Sequence, residues 1–249
     1  MIYNDERIDR VNENILLIQK KNGLTFGTDA LLLAAFIRSS PKSIAIDFGA
    51  GSGIISFLCA ARKKFKKIYS VEVQDSFYSI ICRNIEINSL SGSVFAINKD
   101  IRELSHNDIG LEADVIFSNP PYMRAGSGKT NDNSAKAVAR HEILGNIQDF
   151  CHAASKNLKH GGLFYVVYRP ERISELFYAM SSAKIEPKRL CFVYPDIYSA
   201  PSLILVEGKK GASAEIKVTK PLIMYNDRSH TEYTVDFQFI YDNGYFKEN

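Results

Sequence analysis

Between residues 43 and 208 the chain alternates short apolar segments with longer segments whose apolar residues recur at helical spacing. The strand-like segments are SIAID at 43–47, KIYSVE at 67–72, SVFAIN at 93–98, ADVIFS at 113–118, GLFYVVY at 162–168, LCFVYP at 190–195 and SLILVEG at 202–208. Strands that alternate with helices form a mostly parallel sheet whose two faces are covered by those helices. Several segments are apolar on both sides, as buried parallel strands are. We therefore predict an α/β fold with a mostly parallel seven-stranded sheet and helices on both faces.

The whole chain, 1–249, is interpreted as one domain with three parts, because its length suits a single large core. Residues 1–40 are predicted to form an N-terminal hairpin and helix, and residues 41–208 the core that contains the sheet. Residues 209–249 are polar with short β-like runs, and they are predicted to form an appendage whose shape the pattern does not assign.

In the N-terminal part, we predict that strand 14–19 pairs with 24–26 across a turn at Asn22-Gly23, because asparagine and glycine tolerate the positive φ of a tight turn. Thr28 and Asp29 are predicted to cap the helix that follows, since short polar side chains satisfy the first backbone N–H groups of a helix.

Composition limits where the protein acts and what it binds. The net charge of +3 is too small to indicate a nucleic-acid partner by itself. No apolar run approaches the roughly 20 residues that cross a bilayer, so we expect no membrane partner and a cytoplasmic location. The four cysteines form no C-x-x-C pair, so we interpret them as reduced packing residues and expect no metal site. They are Cys59, Cys82, Cys151 and Cys191.

A glycine-rich turn, Asp47-Phe-Gly-Ala-Gly-Ser-Gly53, joins the first core strand to its helix. Glycines let the backbone approach a ligand closely, and the helix N-terminus favours negative charge. The spacing does not fit the dinucleotide pattern, which needs glycine at Ile54. Gly128-Lys129-Thr130 likewise fails as a P-loop, because Met123 occupies the position of the earlier glycine.

Three acids follow consecutive strands. Asp47 closes the first core strand, Glu72 the second, and Asp100 comes just after the third. Open α/β sheets bind ligands at the carboxyl ends of their strands, where an acid can accept the ribose hydroxyls of a nucleoside. We predict this role for Glu72. Asp100 is predicted either to accept from an adenine amino group or to cap the turn after it.

The most informative motif is Asn119-Pro120-Pro121-Tyr122, at the end of the fourth core strand. Paired prolines hold the chain extended and stop the strand. The Asn119 amide and the Pro120 carbonyl are two acceptors that can bind both hydrogens of an exocyclic amino group and turn its lone pair toward an electrophilic methyl group. Tyr122 can then stack on the base.

Taken in order, these motifs resemble the class I S-adenosylmethionine methyltransferases that modify amino nitrogens, whose fold is Rossmann-like. More narrowly, the sequence is similar to the bacterial tRNA (adenine-N6) methyltransferases that act on valine tRNA beside the anticodon. The segments that carry the two resemblances are D-F-G-A-G-S-G (47–53), V-E-V (71–73), K-D-I (99–101), N-P-P-Y (119–122), T-F-G-T-D-A-L-L-L-A (25–34), A-R-H-E (139–142), R-P-E-R (169–172) and P-L-I-M-Y (221–225).

The resemblance implies S-adenosyl-L-methionine as cofactor, adenine N6 methylation as reaction and tRNA as partner, with no obligatory protein partner. It also implies a role for each matching residue. The implied cofactor contacts are Asp47, Gly49 and Gly51 to the methionine part, Glu72 to the ribose, Asp100 and Ile101 to the adenine, and Phe26 and Gly27 in a segment that closes over the cofactor. The implied catalytic residues are Asn119, Pro120 and Tyr122.

Substrate contacts are predicted in the long polar loop 123–145, which starts at the catalytic motif and contains Arg124, Arg140 and His141. Arg169 follows the fifth strand at the ligand edge and is predicted to touch phosphate. The dense charge run at 62–67 lies at the opposite edge, where it is either a solvated helix end or a contact to a distant part of an RNA.

Other functions remain open at this point. N5-glutamine methylation of release factors uses the same four-residue motif, but the enzymes that perform it carry an N-terminal helical domain. Here the glycine-rich turn is reached by Gly49, so we expect no room for such a domain. Guanine N2 methyltransferases of ribosomal RNA tend to have phenylalanine at the position of Tyr122. DNA adenine methyltransferases need a target-recognition domain. From another class, an RNA-binding scaffold that retains the fold would lack the activity, and cofactor binding separates it from an enzyme.

Overall fold

The computed structural model describes residues 2–21, 27–121 and 145–247. The elements of the N-terminal part and the first half of the sheet are β1 (Glu6–Asn12), β2 (Ile15–Lys20), α1 (Thr28–Phe36), β3 (Ile44–Phe48), α2 (Ile54–Ala61), β4 (Lys67–Glu72), α3 (Asp75–Ile87), β5 (Val94–Asn98), α4 (His106–Ile109) and β6 (Ala113–Ser118). The later elements are α5 (Ile147–Asn157), β7 (Leu158–Tyr168), α6 (Ile173–Ser182), β8 (Ile185–Tyr194), β9 (Leu203–Lys210), β10 (Lys217–Val218), β11 (Leu222–Ile223) and α7 (Val235–Asn243).

The central sheet has the strand order β10–β8–β9–β7–β6–β3–β4–β5, and β11 also pairs with β8. β9 is antiparallel to both of its neighbours, whereas the other pairs are parallel. The seven strands β3 to β9 are those predicted from the sequence, and β10 and β11 add two residues each. The predicted mostly parallel α/β sheet is therefore confirmed.

Two apolar clusters lie on opposite faces of the sheet, because neighbouring strand residues point to opposite sides. Ala45 and Phe117 belong to one cluster, with α1, α2 and part of α3, whereas Ile46 and Ile116 belong to the other, with α5 and α6. Both faces of the strands are thus buried, which explains why these segments are apolar throughout. Within the described residues, every helix is too short or too polar to span a bilayer.

In the N-terminal part, β2 has a strand partner that the sequence analysis did not predict. β2 pairs antiparallel with β1, which precedes it, with Glu6 opposite Lys20 and Asn12 opposite Ile15. The turn is closed by the backbone N–H of Asn14, which donates to the Asn12 side chain at 2.9 Å. The sequence of β1 is charged and mostly solvent-facing, so its apolar alternation is weak. The predicted partner, 24–26, lies outside the described residues.

The predicted cap of α1 by Thr28 and Asp29 is wrong. Gly27 occupies the capping position, and Thr28 and Asp29 are the first two residues of the helix. Asp29 Oδ1 accepts from the backbone N–H of Ala30 at 2.8 Å. Asp29 Oδ2 accepts from the side chain of Asn119, which follows β6. Asp29 is used for a tertiary contact rather than for capping.

The C-terminal appendage is part of the core. Thr234 begins α7, and its hydroxyl accepts from the backbone N–H of Phe237 at 3.2 Å. Phe237 and Ile240 are buried in the same cluster as α1, and the ring of Phe246 packs edge-on against Phe36 with centroids 5.7 Å apart. The sequence pattern gave no sign of this helix, because its apolar residues are spread around it.

Candidate active site

The carboxyl ends of four adjacent parallel strands, β6, β3, β4 and β5, meet at one edge of the sheet. Asn119 follows β6, Asp47 lies near the end of β3, Glu72 ends β4 and Asp100 follows β5. This is the edge at which open α/β sheets bind ligands. The topology therefore brings the polar residues of four sequence motifs to one place.

The glycine-rich turn between β3 and α2 has a backbone that only glycine adopts easily. Gly51 has φ of +57°, in the left-handed region, and a Cβ atom added to it would meet nothing within 4 Å. Space above the turn is therefore open to a ligand. Gly49 also has positive φ, +66°, and an added Cβ would lie 3.5 Å from the Phe150 ring.

Glu72 is buried, with 3% of its surface exposed, and holds the turn in place. Its Oε2 accepts from the backbone N–H of Gly51 at 2.9 Å, and its Oε1 accepts from that of Gln74 at 2.9 Å. Each carboxylate oxygen has a second lone pair, so these bonds orient the group without using all of its acceptor capacity. Glu72 is thus positioned beside the open space at Gly51.

Asp47 is buried beneath the turn. The hydroxyl of Ser56 donates to its Oδ2 at 2.8 Å, and Ser70 in turn donates to Ser56. Its Oδ1 has no hydrogen-bond partner among the described residues. Burial raises the pKa of the Asp47 carboxyl to about 7, against the lowering effect of Ser56 and with a smaller raising effect from the charge of Glu72. A buried acceptor of this kind favours a cationic ligand group.

Asp100 is engaged by its own neighbour. The Arg102 guanidinium donates to both carboxylate oxygens, to Oδ1 at 3.0 Å and to Oδ2 at 2.5 Å, and the Arg102 backbone N–H donates to Oδ1 at 2.8 Å. Asp100 therefore caps the turn that follows it. Burial raises the pKa of the Asp100 carboxyl, but the contacts with Arg102 lower it by more, so the pKa is lowered overall and the group is ionised. Ile101, beside it, is buried.

The side chain of Asn119 contacts the first turn of α1. Its Nδ2 donates to Asp29 Oδ2 at 2.9 Å, across 90 positions of the chain. An ionised carboxylate only accepts hydrogen bonds, so it selects the amide orientation that places NH₂ toward Asp29 and Oδ1 away from it. Asn119 is half-buried and Pro120, beside it, is buried.

Gly27 leaves room for this contact. A Cβ atom added to Gly27 would lie 2.8 Å from Asp29 Oδ1, so a side chain there would displace the carboxylate. On the other side, the Ser118 hydroxyl donates to the Phe48 carbonyl at 2.8 Å and ties the end of β6 to the end of β3. The Asn119 amide is therefore held by α1, and the strand end that precedes it is tied to β3.

Of the predicted substrate residues, Arg169 lies at the end of β7, where its guanidinium donates to the Ser202 carbonyl at 3.2 Å. Five predicted site residues lie outside the described residues: Phe26, Tyr122, Arg124, Arg140 and His141.

The basic run at 62–67 has one buried member. The Lys64 ammonium is 4% exposed and donates to the carbonyls of Ala34 at 2.7 Å and Ile37 at 2.5 Å, at the C-terminus of α1. Burial lowers the pKa of this group. Lys63 and Lys66 are exposed. The Lys64 ammonium thus caps the C-terminal carbonyls of α1 rather than those of α2, a contact that no local sequence pattern predicts.

Sequence reasoning missed Asp29 and Ser56 as site residues. Asp29 lies in the segment T-F-G-T-D (25–29), and an acidic side chain at a helix start indicates by itself only a cap. Ser56 lies inside a helix, where a serine carries no recognisable signal. Both act through a partner, Asn119 and Asp47 respectively.

Comparison with known proteins agrees with the motifs. Residues 35–124 match the family described as the TRM5/TYW2 methyltransferase domain. A protein of Shewanella sediminis named tRNA1(Val) (adenine(37)-N6)-methyltransferase is 27% identical over 170 residues, which are 66% of this chain and 67% of that protein. One of the same name from Flavobacterium johnsoniae is 30% identical over 151 residues, which are 60% of this chain and 63% of its own length.

Solved structures share the fold. A predicted O-methyltransferase from Agrobacterium tumefaciens superposes with a TM-score of 0.69 at 23% identity, covering 87% of this chain and 96% of that one. TYW2 of M. jannaschii in complex with AdoMet has a TM-score of 0.56 at 17% identity, covering 83% of this chain and 86% of that one. These structures confirm the fold, and the named relatives and the matched family confirm the resemblance and the methyltransferase class.

Proposed function

We propose that this chain transfers a methyl group from S-adenosyl-L-methionine to the exocyclic N6 amino group of an adenine in tRNA, close to the anticodon. The observation that carries the proposal is the Asn119 amide at the ligand edge, oriented by Asp29 so that its oxygen faces away from α1. Relatives named for adenine N6 methylation of tRNA, aligned over 60–66% of this chain, support the same reaction and substrate.

The residues at the edge fit the proposed cofactor. Asp47 Oδ1 is a buried acceptor without a partner among the described residues, which suits the ammonium of a methionine group. The open space above Gly51 admits a ligand against the backbone, and Glu72 beside it can accept ribose hydroxyls. Ile101 offers an apolar surface next to Asp100, where an adenine ring would lie.

When bound, S-adenosyl-L-methionine supplies an electrophilic methyl group. Asn119 Oδ1 accepts one hydrogen of the substrate amino group, and the Pro120 carbonyl accepts the other. These two bonds draw the nitrogen lone pair out of conjugation with the ring and direct it at the methyl carbon. Once methylated, the nitrogen would release one proton to solvent, so no strong base would be required of the protein. Such acceptors gain strength as the nitrogen becomes positive, which favours the transition state over the bound substrate.

Asp29 contributes by holding the amide in one orientation. A free primary amide can present either its oxygen or its NH₂ to the substrate, and only the oxygen accepts the amino hydrogens. The 2.9 Å bond from Asn119 to Asp29 removes that choice before the substrate arrives. This arrangement is preorganisation of a polar group, which lowers the free energy needed to reach the transition state.

On the substrate side, Tyr122 is proposed to stack on the adenine, and Arg124, Arg140, His141 and Arg169 to contact phosphates or the loop around it. The free energy needed to extract a base from its stack is lowest in a loop, which suits a position near the anticodon. A tRNA substrate places the proposed reaction in the cytoplasm.

The test incubates the protein and labelled cofactor with total tRNA, with ribosomal RNA and with a release factor, and identifies the product by mass spectrometry. N6-methyladenosine confined to tRNA is the expected result. Methylguanosine in ribosomal RNA or methylglutamine in the release factor would assign one of the alternative reactions. Cofactor binding without transfer to any of the three would favour a binding protein that retains the fold.

A further inference from the structure

We propose that the loop between β8 and β9, residues 195–202, presents Tyr198 as a stacking platform for a base that flanks the methylated nucleotide, with the Arg228 guanidinium beside it. The inference rests on the proposed function and adds a second place at which the RNA is held. It assigns a role to residues that none of the sequence motifs contains.

The loop lies at the same edge of the sheet as the candidate active site. β8 is parallel to β6 and β7, as the strand order and the two antiparallel pairs of β9 establish. Asn119, Arg169 and Asp196 therefore follow strands that end at one edge. Asp196 is three strands away from Asn119, which corresponds to about 14 Å at the usual spacing of strands. A base next to the reacting nucleotide in an RNA loop can span that separation.

The backbone of the loop is fixed from within. Asp196 is 1% exposed, and its carboxylate accepts from the backbone N–H of Tyr198 at 2.8 Å and from the hydroxyl of Ser199 at 2.8 Å. The N–H of Ser202 donates to the Val193 carbonyl at 2.8 Å and closes the loop at its base. A contact with His230, described in the next paragraph, is the largest cause that lowers the pKa of Asp196 to about 2, and the bonds from Ser199 and Tyr198 add to it, so the carboxylate stays ionised as an acceptor.

A second anchor comes from the C-terminal appendage. His230 Nε2 lies 3.0 Å from Asp196 Oδ2, and the imidazole stacks on the Tyr225 ring with centroids 4.7 Å apart. Arg228 precedes it in the same turn, and its guanidinium carbon lies 4.7 Å from the centroid of the Tyr198 ring. The appendage therefore supplies both a support for the loop and a cation next to its aromatic side chain.

Two large apolar side chains at the tip of this rigid loop face the solvent. Ile197 is 61% exposed and Tyr198 is 62% exposed. A hydrogen-bonded loop that keeps an aromatic ring in water beside a guanidinium has the composition of a site for nucleobases, which stack on aromatic rings and on arginine. Stacking tolerates any base, so the platform would contribute affinity rather than choose the sequence.

The loop is continuous with a residue already proposed to contact the substrate. Arg169, at the end of β7, donates to the carbonyl of Ser202, the last residue of the loop. The guanidiniums of Arg169 and Arg228 thus lie on loops at the same edge as the Tyr198 ring, so both can approach the phosphates of an RNA strand whose base stacks on that ring.

The experiment compares Tyr198→Ala, Tyr198→Phe and a matched control, Tyr178→Ala, which removes an exposed tyrosine (71%) from α6. We measure the Kd of the full-length protein for unmodified tRNA by fluorescence anisotropy, the KM for tRNA, kcat, and the affinity for S-adenosylhomocysteine. Tyr198→Ala is expected to raise Kd and KM for tRNA about 10-fold, within the range of one base–aromatic stack, with kcat and cofactor affinity unchanged. Tyr198→Phe, which keeps the ring, and Tyr178→Ala are expected to behave like the wild type.

Three results would overturn the inference. One is wild-type tRNA affinity in Tyr198→Ala, and a second is an equal loss in Tyr198→Phe, which would assign the hydroxyl rather than the ring. If Tyr198→Ala raised the KM for a release factor instead of that for tRNA, the loop would be assigned to a protein partner, and the inference would also be overturned. The proposed function fails separately, if the wild-type protein methylates no adenine in tRNA.

Discussion

Asn119 Nδ2 donates to Asp29 Oδ2 at 2.9 Å, so the end of β6 and the first turn of α1 hold one amide between them. The contact gives a physical reason for an acid at the start of α1, where Gly27 provides the space that the carboxylate needs. It also makes Asp29 a positioning residue for the proposed transfer, since Asp29 acts through Asn119.

Replacement of Asp29 by alanine or asparagine is expected to lower kcat by about 10-fold to 100-fold, since a positioned group loses its fixed orientation. Asparagine is nearly isosteric, but its amide can donate as well as accept, so it no longer selects one orientation of Asn119. Affinity for S-adenosylhomocysteine should stay within about a factor of two, because neither Asp29 nor Asn119 is proposed to hold the cofactor. Asp29→Glu is the control for charge without position. An unchanged kcat in Asp29→Asn would remove Asp29 from the mechanism.

Asn119→Ala removes the proposed acceptor itself, and we expect transfer to fall by at least about 100-fold. The fold and the cofactor affinity should remain, because Asn119 is proposed to contact the reacting nitrogen rather than the groups that hold the cofactor. Initial rates of labelled methyl transfer to tRNA, together with calorimetry of S-adenosylhomocysteine binding, check both parts. Wild-type rates in Asn119→Ala would refute the amino-group mechanism.

Glu72→Ala is expected to weaken S-adenosylhomocysteine binding by about 10-fold to 100-fold, the usual cost of losing hydrogen bonds to a charged acceptor. Part of the loss comes from the turn, because Glu72 also fixes the backbone N–H groups of Gly51 and Gln74. Glu86→Ala, which removes an exposed acid from the end of α3, serves as the matched control. Unchanged affinity in Glu72→Ala, measured by calorimetry, would take this residue out of the site.

The raised pKa of Asp47 predicts a stability that falls between about pH 4 and pH 7. In that range the folded protein keeps a proton on Asp47, whose pKa is about 7, whereas the unfolded chain, with a pKa near 3.8, has lost it. The folded state therefore binds more protons, and the free energy of unfolding decreases as the pH rises, by at most about 4 kcal/mol. Asp47→Asn should lack this part of the pH dependence. Urea unfolding of the wild type and Asp47→Asn at pH 5 and pH 7.5 gives the free energy of unfolding of each protein at each pH. An equal change in this free energy between the two pH values in both proteins would contradict the assignment.

The sheet was predictable from the sequence, because a parallel strand buried on both faces has a continuous apolar stretch, such as IAI (44–46) in β3 and VIF (115–117) in β6. The site was predictable where it consists of strand ends, such as Glu72. Contacts between distant segments were not predictable, because nothing in the neighbourhood of Asp29 indicates Asn119, and nothing near Lys64 indicates the end of α1. β1 was missed because a charged, solvent-facing strand has little apolar alternation, and α7 because its buried residues are only Phe237 and Ile240.

The basic run at 62–67 separates into residues with different expected effects. Lys64→Ala should destabilise the protein by about 1–3 kcal/mol, because the carbonyls of Ala34 and Ile37 at the end of α1 lose a charged donor in a buried place. Lys63→Ala and Lys66→Ala remove exposed ammonium groups, so their stability should change by less than about 0.5 kcal/mol. Urea denaturation of the three variants measures the difference, with calorimetry of S-adenosylhomocysteine to show that the opposite edge is intact. If Lys64→Ala were as stable as the wild type while Lys66→Ala unfolded more easily, the burial of the Lys64 ammonium would be refuted. A loss of tRNA affinity in Lys63→Ala and Lys66→Ala, with stability unchanged, would instead assign the exposed pair to the RNA.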